Sequence, residues 1–312
     1  MKITKRMIAE AVRRILLEKP LDDMPLPLSQ VAKNPKAAKA RVTMGLKDGD
    51  PGDDKIQVKS GATFPVSKLK PSQTSMNIGK ALAQALAMIS GDMETGGDLG
   101  AFISSDNHIM DGHHRWVATA MVDPSKEVGG FQVAMPGIPL IKILNAITVG
   151  ALGQQEGKKG TGGFEQFQEG PIRKQLEDYL KNGIGGKFPK TPEYVQAAIE
   201  KFSNQKGDAA KEAAIALFVK NLSGLKFVTP SGAPERPDMP VIDPDIVKNA
   251  LAVAVKKLAD GEVDWNDPPA GGQQPAAGGQ KDKPQDAPPA ANRKDEELIP
   301  EGIRSKWQKL LK

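Results

Sequence analysis

The chain contains no cysteine, two tyrosines, three tryptophans and three histidines in 312 residues. Each scarcity excludes something. Without cysteine there is no disulfide framework and no thiol chemistry. With aromatics at 4%, an extended surface for stacking nucleic-acid bases is not expected. No stretch approaches the roughly 20 apolar residues that span a bilayer, and the basic amino-terminal stretch lacks the apolar core of a signal peptide. A cytoplasmic protein that is not secreted is expected, with no transmembrane segment. Nothing in the pattern suggests haem, flavin or iron–sulfur binding. The charge balance is mildly basic, 43 Lys and Arg against 38 Asp and Glu for a net charge of +5. That permits contact with nucleic acid without demanding it.

What the chain does have is concentrated. All three histidines, His108, His113 and His114, lie within seven positions, and the second and third belong to the run Asp111-Gly112-His113-His114-Arg115. Upstream, Phe102-Ile103 and His108-Ile109-Met110 flank the turn signal Ser105-Asp106-Asn107, which predicts a β-hairpin. Downstream, Trp116, Val117, Ala120 and Met121 recur at helical spacing. The run therefore stands where a strand passes into a helix.

That position carries chemistry. The first N–H groups of a helix have no partner within it and sit at its positive dipole end, where an anion, most often phosphate, is held. Gly112 lets the backbone turn and approach a ligand. Arg115 falls in the first turn, where its planar fork suits phosphate oxygens. Asp111 is a poor phosphate contact, which leaves it to cap the helix, position a histidine or hold a metal ion. His113 and His114 are each able to donate, carry a proton or ligate. Three readings stay open: a phosphate site, a metal site built on histidine and aspartate, and a polar helix start with a common turn dipeptide. Against the metal site, adjacent helical residues diverge by about 100°, so His113 and His114 share one ion only in an irregular turn.

These residues resemble the ParB/sulfiredoxin-like superfamily, in whose standalone members the central motif is often spelled D-G-H-H-R before an aromatic residue and a small apolar helix. Phe64-Pro-Val-Ser-Lys-Leu-Lys-Pro-Ser-Gln73 is similar to the family's opening strand and Pro-Ser-Gln turn. Thr74 to Ser90 supplies the following helix, with Thr74 as its expected N-cap and Ile78, Leu82, Leu86 and Ile89 as its apolar stripe. The resemblance spans roughly residues 56–149. It implies an α/β domain that binds phosphate groups of a nucleotide or nucleic acid through Gly112, His113, His114, Arg115 and Gln73, with a nucleoside triphosphate and Mg²⁺ as implied cofactors. Asp111 is the candidate metal contact, beside its alternative roles as cap or as partner of a histidine. The sulfiredoxin reaction is excluded, because it needs the missing cysteine. Partitioning members spell the motif Glu-Arg-Arg and follow it with a helix-turn-helix, and neither is present.

The predicted class is α+β: a small ParB/sulfiredoxin-like α/β domain followed by a helical region, with amphipathic helices at both termini. Residues 1–19 form a basic amphipathic helix with Ile3, Met7, Ile8, Val12, Ile15 and Leu16 on one face, and 20–55 a loop-rich connector. The domain occupies 56–149. In it Phe131 to Met135 reads as a strand and Leu140 to Ile147 as a helix or second strand. Gly150 to Gly170 holds seven glycines in 21 residues and reads as a mobile loop, whose Lys158 and Lys159 fail the spacing of a phosphate-binding P-loop. Residues 171–262 carry helices near 171–181, 192–203, 208–222 and 244–260, which are expected to bundle against the α/β domain. Within the 263–292 linker, 20 of the 27 residues from Asn266 to Asn292 are Pro, Gly, Ala or Gln, a composition unable to fold. Finally 293–312 forms a docking helix with Ile303, Trp307, Leu310 and Leu311 on one face.

Two function classes follow. One is an enzyme of nuclease, NTPase or phosphotransferase type, with His113 or His114 as general acid/base and Asp111 orienting it or holding Mg²⁺. The other is a non-catalytic assembly protein whose terminal helices dock on a protein partner. DGHHR proteins are frequent in phages, so the resemblance also implies a virion-associated location.

Overall fold

The computed structural model describes residues 24–38, 58–150, 153, 157, 160, 162–186 and 189–240. The chain divides at Asp267, and everything described belongs to the first unit. The expected terminal helices at 1–19 and 293–312, the helix at 244–260, the 263–292 linker and Lys158-Lys159 lie outside the described residues.

Short β-rich segments alternate with apolar-striped helices, and the elements follow from that alternation. In chain order they are α1 (Leu28–Val31), β1 (Val58–Pro65), β2 (Lys70–Pro71), α2 (Ile78–Ser90), β3 (Gly97–Ser104), β4 (His108–Ile109), α3 (His113–Val122), β5 (Glu127–Val133), α4 (Gly137–Gly150), α5 (Glu169–Asn182), α6 (Pro192–Ser203) and α7 (Gly207–Leu222). The strands make one mixed sheet in the order β1-β5-β3-β4-β2. β1 runs antiparallel to β5 and β3 antiparallel to β4, while β3–β5 and β2–β4 are parallel. The hairpin expected around Ser105-Asp106-Asn107 is the β3–β4 connection, and Asn107 takes φ 66° there.

The two faces of the sheet have separate cores. On one face α2 and α3 pack with Ile103, Ile109 and Val128, and the same cluster continues through Ile172 and Leu176 of α5, Val195 and Ile199 of α6, and Ile215 and Phe218 of α7. These helices thus share a core with the α/β elements. The other face holds Phe102, Met110 and Val133 beneath Leu140, Ile141 and Leu144 of α4. α1 then lies on α4 through Leu28, Val31, Ala146 and Val149.

Three boundaries differ from the sequence reading. α2 begins at Ile78, and its N-cap is Asn77, whose Oδ1 accepts the Lys80 N–H at 2.8 Å. Thr74 instead lies in the loop before it, where its N–H donates to Pro234 O at 3.0 Å. The segment at 140–147 is helical and belongs to α4, which starts three residues earlier. The last part of the glycine-rich stretch is pinned: Met76 bridges to Gly162, and Phe164 and Phe167 stack on Phe227 at 4.9 and 5.6 Å between centroids. Those two phenylalanines, buried against a residue after α7, override the glycines around them. Among the described residues no helix is long and apolar enough to cross a membrane.

Candidate functional site

Gly112 is the N-cap of α3 and takes φ 92°, a left-handed conformation that glycine adopts without steric cost. A Cβ there would find only ordinary contacts with Ala101, Ile109 and Leu99, at 3.5 Å and beyond. The backbone angle, not crowding, calls for glycine. Among the described residues no side chain caps the helix. Its first internal bond runs from the Trp116 N–H to Gly112 O, so the N–H groups of His113, His114 and Arg115 have no partner within the helix.

The start of α3 is anchored from behind. Trp116 is fully buried, donates its indole N–H to Val66 O at 2.9 Å, and meets Phe227 edge-on. At the far end of the helix, Asn221 Nδ2 donates to Met121 O at 2.7 Å.

The two histidines of the motif both reach back to the loop 72–77. His113 Nε2 accepts the Ser72 N–H at 3.2 Å, with Ser72 Oγ 3.3 Å from the same nitrogen. Ser72 Oγ–H itself donates to Ile109 O at 2.7 Å. His114 Nε2 accepts the Asn77 N–H at 3.1 Å. Each ring therefore spends its Nε2 lone pair on a backbone donor, one at each end of the loop. Burial, joined by the charges of Arg236 and His108, pushes the His113 pKa down to about 3, so the ring is neutral near pH 7. Gln73, buried at 4% exposure, turns its amide inward, Nε2 donating to Ser75 O at 2.7 Å.

Arg115 is half-buried. Its Nε is shielded from solvent and has no hydrogen-bond partner among the described residues. Such a donor stands out, because buried polar groups are nearly always paired. Burial lowers its pKa, opposed by the carboxylates of Glu94 and Asp98. Asp111 is exposed at the turn, and its negative charge acts on Arg236.

His108 does not join the other two. Strand pairing sets Ile103 opposite Ile109 on the α3 face, so alternation along β4 turns His108 to the α4 face. There its Nδ1 lies 3.1 Å from Asp106 Oδ2. Asp106 Oδ1 accepts Ser104 Oγ–H at 2.5 Å and the Gly137 N–H, at the start of α4, at 3.0 Å. Burial works to raise the Asp106 pKa, but the hydrogen bonds from Ser104 and His108 hold it below its usual value.

The structure thus brings Gly112, His113, His114 and Arg115 together with Asp111 at one helix start, with Gln73 in the adjoining loop. Among the described residues no group of three or more histidines and carboxylates comes together as a metal ligand set, and in this arrangement neither His113 nor His114 presents Nε2 to an ion. Sequence reasoning missed Ser72, Asn77 and Arg236. A Pro-Ser turn and an Asn before a helical stripe were visible signals for the first two, whereas nothing local marks Arg236. Compared with models of known protein families, with curated proteins and with solved structures, the chain matches none.

Proposed function

We propose that this protein binds the phosphate groups of a nucleotide or nucleic acid at the turn from β4 into α3. The observation that carries the reading is the pairing of a helix start at a left-handed glycine with an arginine in the same turn whose buried Nε, like the helix start, finds no side-chain partner among the described residues. A phosphate oxygen would satisfy that donor and the outward N–H groups of the first turn, with the helix dipole in support. Charge-assisted bonds of this kind are worth about 1.5–3 kcal/mol each.

In this reading His113 and His114 bind the loop 72–77 to the helix start and so hold the site open in one shape. A neutral, buried His113 whose Nε2 already accepts an N–H is a positioning residue rather than a proton carrier. Binding is accordingly the core of the proposal. Hydrolysis or phosphoryl transfer would need its proton carried by another group or by solvent.

The test is thermal unfolding of the full chain with ATP, ADP, CTP, GTP or a short DNA duplex, each with and without Mg²⁺, beside Arg115→Ala. The expected result is a rise in Tm with at least one of these ligands, lost in the variant. A response equal in both proteins, or none with any ligand, would overturn the reading.

A further inference from the structure

Arg236 stands far from the DGHHR run in sequence, yet it is built into the same site. Its segment is fixed at three points. Pro234 O accepts the Thr74 N–H at 3.0 Å, the Arg236 N–H donates to Ser75 Oγ at 3.0 Å, and the Asp238 carboxylate takes the Ser29 N–H at 3.0 Å and the Ser29 Oγ–H at 2.5 Å. Asn145 Nδ2, on α4, adds a bond to Asp238 O at 3.0 Å. Gly160 lies directly on this contact, where a Cβ would fall 2.5 Å from Ser75 Oγ and 3.4 Å from Arg236 Cβ. The result is a braced strap with an arginine at its centre.

The Arg236 backbone bonds to the loop that His113 and His114 hold, and its half-buried guanidinium is within electrostatic reach of His113 and Asp111 at the helix start. Its charge helps to keep His113 neutral, and Asp111 is the carboxylate that acts on it. Arg115 answers to different neighbours, Glu94 and Asp98. The two arginines therefore interact with different carboxylates around the start of α3. A cleft of about 470 Å³ lined by Thr74, Ser75, Gly160, Gly162, Glu235 and Pro237 adjoins the strap.

We propose that Arg236 is a second phosphate-binding arm of this site, selecting ligands that carry a chain of two or more phosphates over a single phosphate. This rests on the reading of the α3 start as a phosphate site. One phosphate is held by the first-turn N–H groups and Arg115. A second, bonded to it, reaches Arg236 and displaces the interaction with Asp111.

The probes are orthophosphate, pyrophosphate and tripolyphosphate, titrated calorimetrically into the full chain and into Arg236→Gln, Arg236→Lys and Arg115→Gln. Each variant is checked for native unfolding. Glutamine keeps the backbone N–H to Ser75, so the strap stays in place. Arg236→Gln is expected to weaken pyrophosphate and tripolyphosphate by about ten-fold, the scale of one charge-assisted bond, and orthophosphate by less than about two-fold. Lysine should recover part of the loss, as a point charge without the fork. Equal loss for all three probes, or no loss for the longer two, overturns the role of Arg236 while leaving the site itself standing. Wild-type protein that binds none of the three, or Arg115→Gln that binds all three unchanged, overturns the site and Arg236 together.

Discussion

Two helices start beside the β3–β4 hairpin, one on each face of the sheet, and their ends are treated differently. α4 begins under a carboxylate: Asp106 takes the Gly137 N–H and is itself held by Ser104 and His108. Its positive end is already answered by a negative group of the same chain. α3 begins at Gly112, without a side-chain cap, and the groups drawn around it are His113, His114, Arg115 and Arg236. Asp111, acting on Arg236, and Glu94 and Asp98, acting on Arg115, offset that positive charge. A helix start without a side-chain cap is one at which an external anion can add most, and under the proposed function this contrast is what distinguishes the α3 start from the α4 start.

The largest expected effect concerns His113. Its folded ring stays neutral down to about pH 3, while an unfolded histidine takes up a proton near pH 6.5. The unfolded chain then binds more protons throughout that interval. The stabilisation is fully present above pH 6.5 and is lost as pH falls, at up to about 1.4 kcal/mol per pH unit. Denaturant unfolding between pH 7 and pH 5 should show a steeper decline in the wild type than in His113→Gln. Parallel curves would mean that the ring is not held neutral, and the α3 start would lose its anchor to Ser72.

Gly112→Ala comes next. Forcing an alanine to φ 92° should cost about 1–2 kcal/mol of stability, read from the midpoint of chemical unfolding. An unchanged midpoint would show that the turn relaxes, and the uncapped geometry would not be intrinsic. The smallest effect belongs to the other helix. Asp106→Ala removes a cap and should cost about 1 kcal/mol, with phosphate binding at α3 unaltered. If calorimetry showed that this variant had lost phosphate affinity, the two ends would be coupled and the contrast between them would fail.

Much of this architecture is legible in local sequence. Asp-Gly before an apolar helical repeat marks the β4–α3 turn, and the stripe of Ile78, Leu82, Leu86 and Ile89 announces the buried face of α2. Chain proximity misleads at His108: three histidines in seven positions suggest one cluster, but alternation along β4 sends His108 to the face of α4, where it serves Asp106. Thr74 is a plausible cap by type, yet Asn77 takes that role because the loop from Ser72 to Asn77 is stretched between two imidazoles. The glycines of 150–170 suggest mobility, and the stacking of Phe164 and Phe167 on Phe227 overrides them. Arg236 is invisible to any local pattern, because only tertiary contacts with Ser75 and Ser29 carry its segment to the site.

The most direct measurement is a titration of isotope-labelled protein with ADP and Mg²⁺, following the backbone amides at the two helix starts. The account predicts saturable shifts at Gly112, His113, His114 and Arg115, with Gly137 and Ile138 unmoved. Shifts absent from the first turn of α3, or equal at the start of α4, would contradict it.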